Sequence, residues 1–183
     1  MTADVGAAVR ALLVDRGAQS VEHPGGTLYA HLGRVSDRLA RHGVPEHVRV
    51  AGLAHAVYGT DGFDVVLVDL ADRQLVRDVA GAAAEELVYR YGACDRARTW
   101  RALATSRRVV DRFTGEAEVL DGAALRDFVD LTVVNELDVM EQSAELAARH
   151  GAALRALFET WAGLGTPAVL ADAESTLAGH PPA

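Results

Sequence analysis

Leu28-Tyr29-Ala30-His31-Leu32-Gly33-Arg34-Val35-Ser36-Asp37-Arg38-Leu39, then Gly43-Val44-Pro45, then Val48-Arg49-Val50-Ala51-Gly52-Leu53-Ala54-His55-Ala56-Val57-Tyr58-Gly59-Thr60: this stretch decides the fold. Leu28, His31, Leu32, Val35 and Leu39 recur at the spacing of one helix face, over a helix read from Thr27 to His42. Gly43 stops that helix. Pro45 suits the first turn of the next, which runs through Val48, Ala51, Leu53 and His55 to about Tyr58. Two helices joined by so short a connection lie antiparallel. His31, near the start of one, and His55, near the end of the other, then face a common point, with His23 on the approach. Three neutral imidazoles converging on a cavity make a reasonable transition-metal site.

Outward from this pair, residues 3–16 read as an amphipathic helix carrying Val5, Val9, Leu12 and Leu13, ending near Gly17. Pro24-Gly25-Gly26 is a turn. Gly59-Thr60-Asp61-Gly62 is a loop, and Phe63 to Leu70 is ambiguous between a short strand and a helix start. One helix is expected over Arg73 to Tyr91. Arg108–Phe113 and Glu116–Leu120, joined around Thr114-Gly115, form a small hairpin. Ala123 to about His150 is the longest periodic stretch, and one or two helices follow. No repeat, linker or low-complexity segment interrupts the chain, so residues 1–178 are expected to form a single domain and 179–183 a disordered tail.

Half of the 183 residues are hydrophobic but only 5% are aromatic, which demands a core of Ala, Leu and Val and favours closely packed helices. The formal charge of -8 argues against nucleic acid as a partner. All 18 basic residues are Arg. This excludes Schiff-base and lysine-base chemistry, and with the Ala, Val and Gly bias it fits the product of a GC-rich bacterial genome. The single cysteine, Cys94, cannot form an intrachain disulfide. With no apolar run of membrane-spanning length, a cytoplasmic protein is expected that binds neither nucleic acid nor membrane. Gly-x-Ser-x-Gly, Cys-x-x-Cys and phosphate-binding glycine loops are absent, so no nucleotide-cofactor motif is present.

Ala51-Gly52-Leu53-Ala54-His55, preceded by a helix bearing His31 and followed later by Val133-Val134-Asn135-Glu136-Leu137, resembles the HD superfamily, most visibly hydrolase domains of the RelA/SpoT type. The resemblance covers residues 27–63 strongly and 123–142 weakly. It implies an all-α, HD-like helical bundle, here with a small β-hairpin insert. The family's two metal-binding aspartates correspond to Ala56 and Asn135. A methyl group cannot bridge two metals, so the resemblance does not carry the dinuclear phosphohydrolase mechanism with it. His55-Ala56-Val57-Tyr58-Gly59-Thr60 is also similar to a bacterial family of unknown function with a His-x-Val-Tyr-Gly-Thr signature, which brings no activity.

The residues that remain define the expected site. His31, His55 and His23 are the candidate ligands of one Fe, Mn or Zn ion, with Asp61, Glu86, Glu136 or Asp138 as alternative third ligands. His55, Tyr58 and Glu86 are the candidate catalytic groups. Thr60, Asp61, Asn135 and Glu136 are the candidate substrate-binding residues. Each has a plainer reading: core histidines, a helix cap at Gly59, a structural Glu85 or Glu86 paired with Arg90 or Arg96, an interhelical Asn. His42, His47, His150 and His180 are read as solvated. The expected function is an enzyme on a small metabolite, a metal-dependent hydrolase or oxygenase. A degenerate HD domain binding a ligand or protein without catalysis is the alternative, and metal-free general-base catalysis by His55 with Tyr58 or Glu86 is a third.

Overall fold

The computed structural model describes residues 4–180. It is an all-α fold with two small antiparallel hairpins. In chain order, α1 spans Val5–Asp15, β1 Glu22–His23, β2 Gly26–Thr27, α2 Leu28–Arg41 and α3 Glu46–Ala54. Next come α4 (Arg73–Ala80), α5 (Ala82–Ala93), α6 (Arg96–Thr99) and α7 (Leu103–Ser106). After β3 (Arg108–Val110) and β4 (Ala117–Val119) follow α8 (Gly122–Gln142), α9 (Ala144–Thr160) and α10 (Pro167–Thr176).

The α2–α3 pair is as its sequence suggests. Thr27 caps α2 by accepting from Ala30 N at 3.2 Å, and Gly43 ends it at a φ of 69°. Leu28, His31, Leu32, Val35 and Leu39 are all buried against α3 and α8. The two helices approach so closely that a Cβ on Gly52 would lie 2.5 Å from Leu39 Cδ1, so any larger residue here would have to displace the Leu39 side chain.

α8 runs through the middle of the molecule, in contact with α2, α3, α5, α9 and α10. Every residue from Phe128 to Asp138 is buried. The periodic stripe read in the sequence is therefore only part of what α8 hides: it is surrounded on all sides over three turns. Asp130, Asn135, Glu136 and Asp138 are polar side chains inside the protein, and each needs a partner there. Asp130 takes Thr166 N at 2.7 Å and Thr166 Oγ1 at 2.6 Å, which anchors the start of α10. Arg38 of α2 ties α10 from the other side through Asp172, with Glu141 of α8 as a further partner.

Four boundaries differ from the sequence reading. α3, expected to reach about Tyr58, ends at Ala54, with residues 55–58 in a turn. The helix expected over Arg73–Tyr91 breaks at Gly81, whose φ of 87° no helix accommodates. The stretch expected to run to His150 divides at Ser143, an N-cap whose hydroxyl accepts from Leu146 N at 3.2 Å. Phe63–Leu70 is mostly irregular chain, fastened where Leu67 N and Val68 N both donate to Val57 O at 2.9 Å. The hairpin at Thr114-Gly115 is present, joined by a second and smaller one in which His23 pairs with Gly26. Of the expected tail, residues 181–183 lie outside the described residues. His180 N donates to Leu177 O at 2.9 Å.

Candidate functional site

The start of α2, the end of α3 and the middle of α8 meet at a cavity of about 210 Å³. His23, His31, His55, Thr60, Asp61, Asn135 and Glu136 all line it, as do Ala56 and Arg96. His31 reaches it from the first turn of α2 and His55 from the residue that caps α3. The β1–β2 hairpin lays His23 flat on His31, ring centroids 4.0 Å apart. Beyond His55 the chain turns, and Gly59, at a φ of 71°, passes it into a tight loop. There Thr60 and Phe63 exchange backbone hydrogen bonds of 2.8 and 2.9 Å across Asp61-Gly62. Asp61 Oδ2 accepts from Arg96 N at 2.9 Å, which holds this loop against α6.

The hydrogen-bond network fixes the orientation of each donor. His31 Nδ1 donates to Asp138 Oδ2 at 2.7 Å, and the same carboxylate takes two bonds from Arg34, at 2.7 and 2.9 Å. His55 Nδ1 donates to Gly52 O at 2.8 Å. Asn135 Nδ2 donates to Glu136 Oε1 at 3.0 Å, which turns its Oδ1 inward. The far side of His55 and of Asn135 thus presents a lone pair toward His31 Nε2. His31 Nε2 lies 3.3 Å from His55 Nε2 and 3.0 Å from Asn135 Oδ1. A proton on His31 Nε2, or a cation lying between the three atoms, satisfies both acceptors.

Burial keeps two of the rings, His55 and His23, neutral. Burial, reinforced by the neighbouring His31, pulls His55 down to about 3 and His23 down to about 4. Burial opposes the charge of Asp138, but hydrogen bonds from His31 and Arg34 outweigh it and hold the carboxyl below its usual range. Arg96 is held cationic against burial by Tyr91 and Glu136; its guanidinium donates to Glu136 Oε1 and Tyr91 Oη, both at 3.0 Å. His23 Nδ1 is buried with no hydrogen-bond partner among the described residues.

Two candidates lie elsewhere. Tyr58 leaves the same turn as His55 in the opposite direction, and its hydroxyl donates to Glu85 Oε1 at 3.0 Å. Glu86 is on the exposed face of α5, bound to Arg90 at 3.1 Å. The buried member of the pair is Glu85, whose partners are Arg73 and Arg77 of α4 rather than Arg90 or Arg96. Neither Tyr58 nor Glu86 lines the histidine cavity, so catalysis by His55 with either has no geometric basis. His42 and His47 are also better anchored than solvated side chains, at 2.7 Å from Asp172 and Asp127. Asp138 and Arg34 orient His31, a role the sequence reading did not assign. The available signal was spacing: Arg34 is three residues from His31, and Asp138 three from Asn135, each on one helix face.

The chemical fit is to one ion, not two. Among the described residues no group of three His, Cys, Asp or Glu side chains is placed to hold a metal. The donor set on offer is two imidazoles and an amide oxygen. Nitrogens 3.3 Å apart can each lie ~2.1 Å from one ion, at an angle of about 100°. Anchoring a histidine's other nitrogen on a carboxylate or carbonyl is the usual support for a metal ligand. Ala56 presents a methyl group where a bridging carboxylate is required, so a dinuclear centre does not fit.

Fold and site together define an all-α protein with a buried, histidine-lined polar pocket. Residues 12–96 match the model of DUF6817, a domain of unknown function. The match takes in His23, His31, the His55–Thr60 segment and Arg96, and stops short of α8. No curated protein and no solved structure matches the chain. No helix among the described residues is long and apolar enough to cross a membrane.

Proposed function

We propose that His31, His55 and Asn135 hold one transition-metal ion at the floor of the cavity, and that the protein is a mononuclear metal-dependent enzyme acting on a small polar metabolite. The observation that carries this reading is the convergence of His55 Nε2 and Asn135 Oδ1 on His31 Nε2, at 3.3 and 3.0 Å, each with its opposite atom already committed. An ion there would supply Lewis acidity and an activated water or dioxygen, as hydrolysis or oxidation requires. The protein's own contributions are separable. Asp138 and Arg34 fix the plane of His31, and Gly52 O fixes that of His55. His23, neutral at physiological pH and with Nδ1 unpartnered, is the group free to donate to or accept from a substrate. Glu136, bound to the Arg96 guanidinium, and Asp61, which accepts from Arg96 N, give the wall a polar lining with one carboxylate in excess.

A second reading rests on the neutral donor set. Ala56 and Asn135 leave the site without a ligating carboxylate, and a proton shared from His31 Nε2 satisfies the same acceptors without a metal. The cavity then serves a non-catalytic binding domain descended from an HD-like bundle. The arrangement of two histidines on successive antiparallel helices with a polar residue on a later one supports that HD-like ancestry in either case.

Metal analysis of protein purified without a histidine tag separates them. The first reading expects stoichiometric Fe, Mn or Zn that disappears in His55→Ala. Metal-free wild-type protein that a metabolite nonetheless stabilises against heat supports the second.

A further inference from the structure

A second cavity, of about 810 Å³, opens directly off the histidine pocket. The two share Gly62, Arg96, Glu136, Val139 and Leu146, so nothing but these side chains separates them. Their linings differ in kind. The smaller cavity gathers three imidazoles, an amide, two carboxylates and Arg96 among apolar neighbours such as Leu28 and Phe63. The larger is floored by Trp100, Val139, Met140, Leu146, Leu154 and Leu157, contributed by α8, α9 and the short turn after α6. Several of these pack against the core with one side and remain partly open to the groove with the other. Charge is confined to the junction, where Arg96 sits 4.8 Å over the Trp100 ring, and to Arg101 and His150.

We infer that the molecule bound among the histidines is an amphiphile, with a compact polar head in the small cavity and an aliphatic chain in the groove. The placement of the head rests on the metal-site reading above; the groove is an independent observation. Two facts favour a chain over other occupants. The small cavity has room for roughly seven waters, which suits a head group and little more. The groove adjoins that cavity along five shared lining residues, with a volume in the range of small-ligand sites. Arg96 and Glu136, already paired, stand where head meets tail and present polar atoms to the linkage without an unbalanced charge.

The test uses zinc-loaded protein and a series of hydroxamates, acetohydroxamate, hexanohydroxamate and decanohydroxamate, measured by calorimetry. All three share a metal-binding head and differ only in tail. The expected result is affinity that rises with chain length, by roughly fourfold for each methylene that the groove buries. Ala153→Trp and Ala97→Trp, two exposed positions on opposite walls of the groove, are expected to erase that dependence, with thermal melting as the check on folding. Acetohydroxamate binding with no gain from longer chains overturns the groove assignment and leaves the metal site standing. A gain that survives both tryptophans overturns it equally. If no hydroxamate binds, the metal-site reading fails and the placement of the head fails with it.

Discussion

Two buried polar clusters lie back to back across the turn that follows α3. On one side, Glu85 is 1% exposed and accepts from Tyr58 Oη and from Arg73 at 2.7 and 3.1 Å, with Arg77 at 3.7 Å. Donors meet acceptors, and the one carboxylate has two arginines to offset its charge. On the other side, His55 Nε2 and Asn135 Oδ1 both face His31 Nε2, and His23 Nδ1 has no partner among the described residues. The first cluster is closed and joins α4 and α5 to the turn. The second is complete only when something is added. Burial and polarity are common to both, so neither distinguishes a site from a staple. The balance of donors and acceptors does.

The largest expected effect lies on the closed side. Glu85→Ala leaves Tyr58 and two arginines without their carboxylate. It is expected to cost about 3 kcal/mol, at the low end for breaking a buried pair because Arg73 and Arg77 reach solvent. That lowers the melting temperature by roughly 8 °C. His55→Asn, which keeps a donor for Gly52 O and removes only Nε2, is expected to lower the metal-free protein's melting temperature far less. Equal losses in calorimetry would erase the distinction between the clusters.

The second effect is on pH dependence, again in metal-free protein. Above pH 6.5 His55 and His23 are neutral in the folded and unfolded chain alike and contribute nothing. Below it the unfolded chain takes up protons that the folded one refuses, until pH reaches about 4 for His23 and about 3 for His55. Stability therefore falls with pH through this window, by about 2 kcal/mol from His55 alone at pH 5. Denaturant midpoints at pH 7 and pH 5 measure the slope. His55→Asn is expected to flatten it, and an unchanged slope in that variant would contradict the assignment.

Smaller effects probe how the open side is built. Asp138→Asn leaves both imidazoles in place but weakens the support of His31, and is expected to reduce zinc affinity roughly 10- to 100-fold in a competition titration. Asn135→Asp works in the opposite direction. Replacing the amide oxygen with a carboxylate is expected to tighten binding about tenfold and to favour harder ions such as Mn. Weaker binding in Asn135→Asp would mean that its oxygen does not face an ion.

Much of this was legible in the chain itself, for local reasons. Gly43 and Pro45 punctuate a 3.6-residue pattern, so the α2–α3 hairpin and the meeting of His31 with His55 follow from spacing. Asn135 and Glu136 stand out as a polar pair on an apolar helix. What escaped depended on direction and on breaks without strong punctuation. Tyr58 is three residues from His55, and only the turn after Ala54 decides that one faces the cavity and the other Glu85. Glu85 and Glu86 are equivalent in the sequence until α4 supplies Arg73 to one of them. Ser143 interrupts no hydrophobic pattern, so its cap was invisible. The groove needs α6, α8 and α9 in their final packing, which no local pattern specifies.

The most direct measurement is anomalous diffraction at the zinc edge from crystals of zinc-loaded protein. The account predicts one strong peak per chain, ~2.1 Å from both His31 Nε2 and His55 Nε2 and beside Asn135 Oδ1. A cavity with no peak, and with zinc found only at surface histidines such as His150, would contradict it.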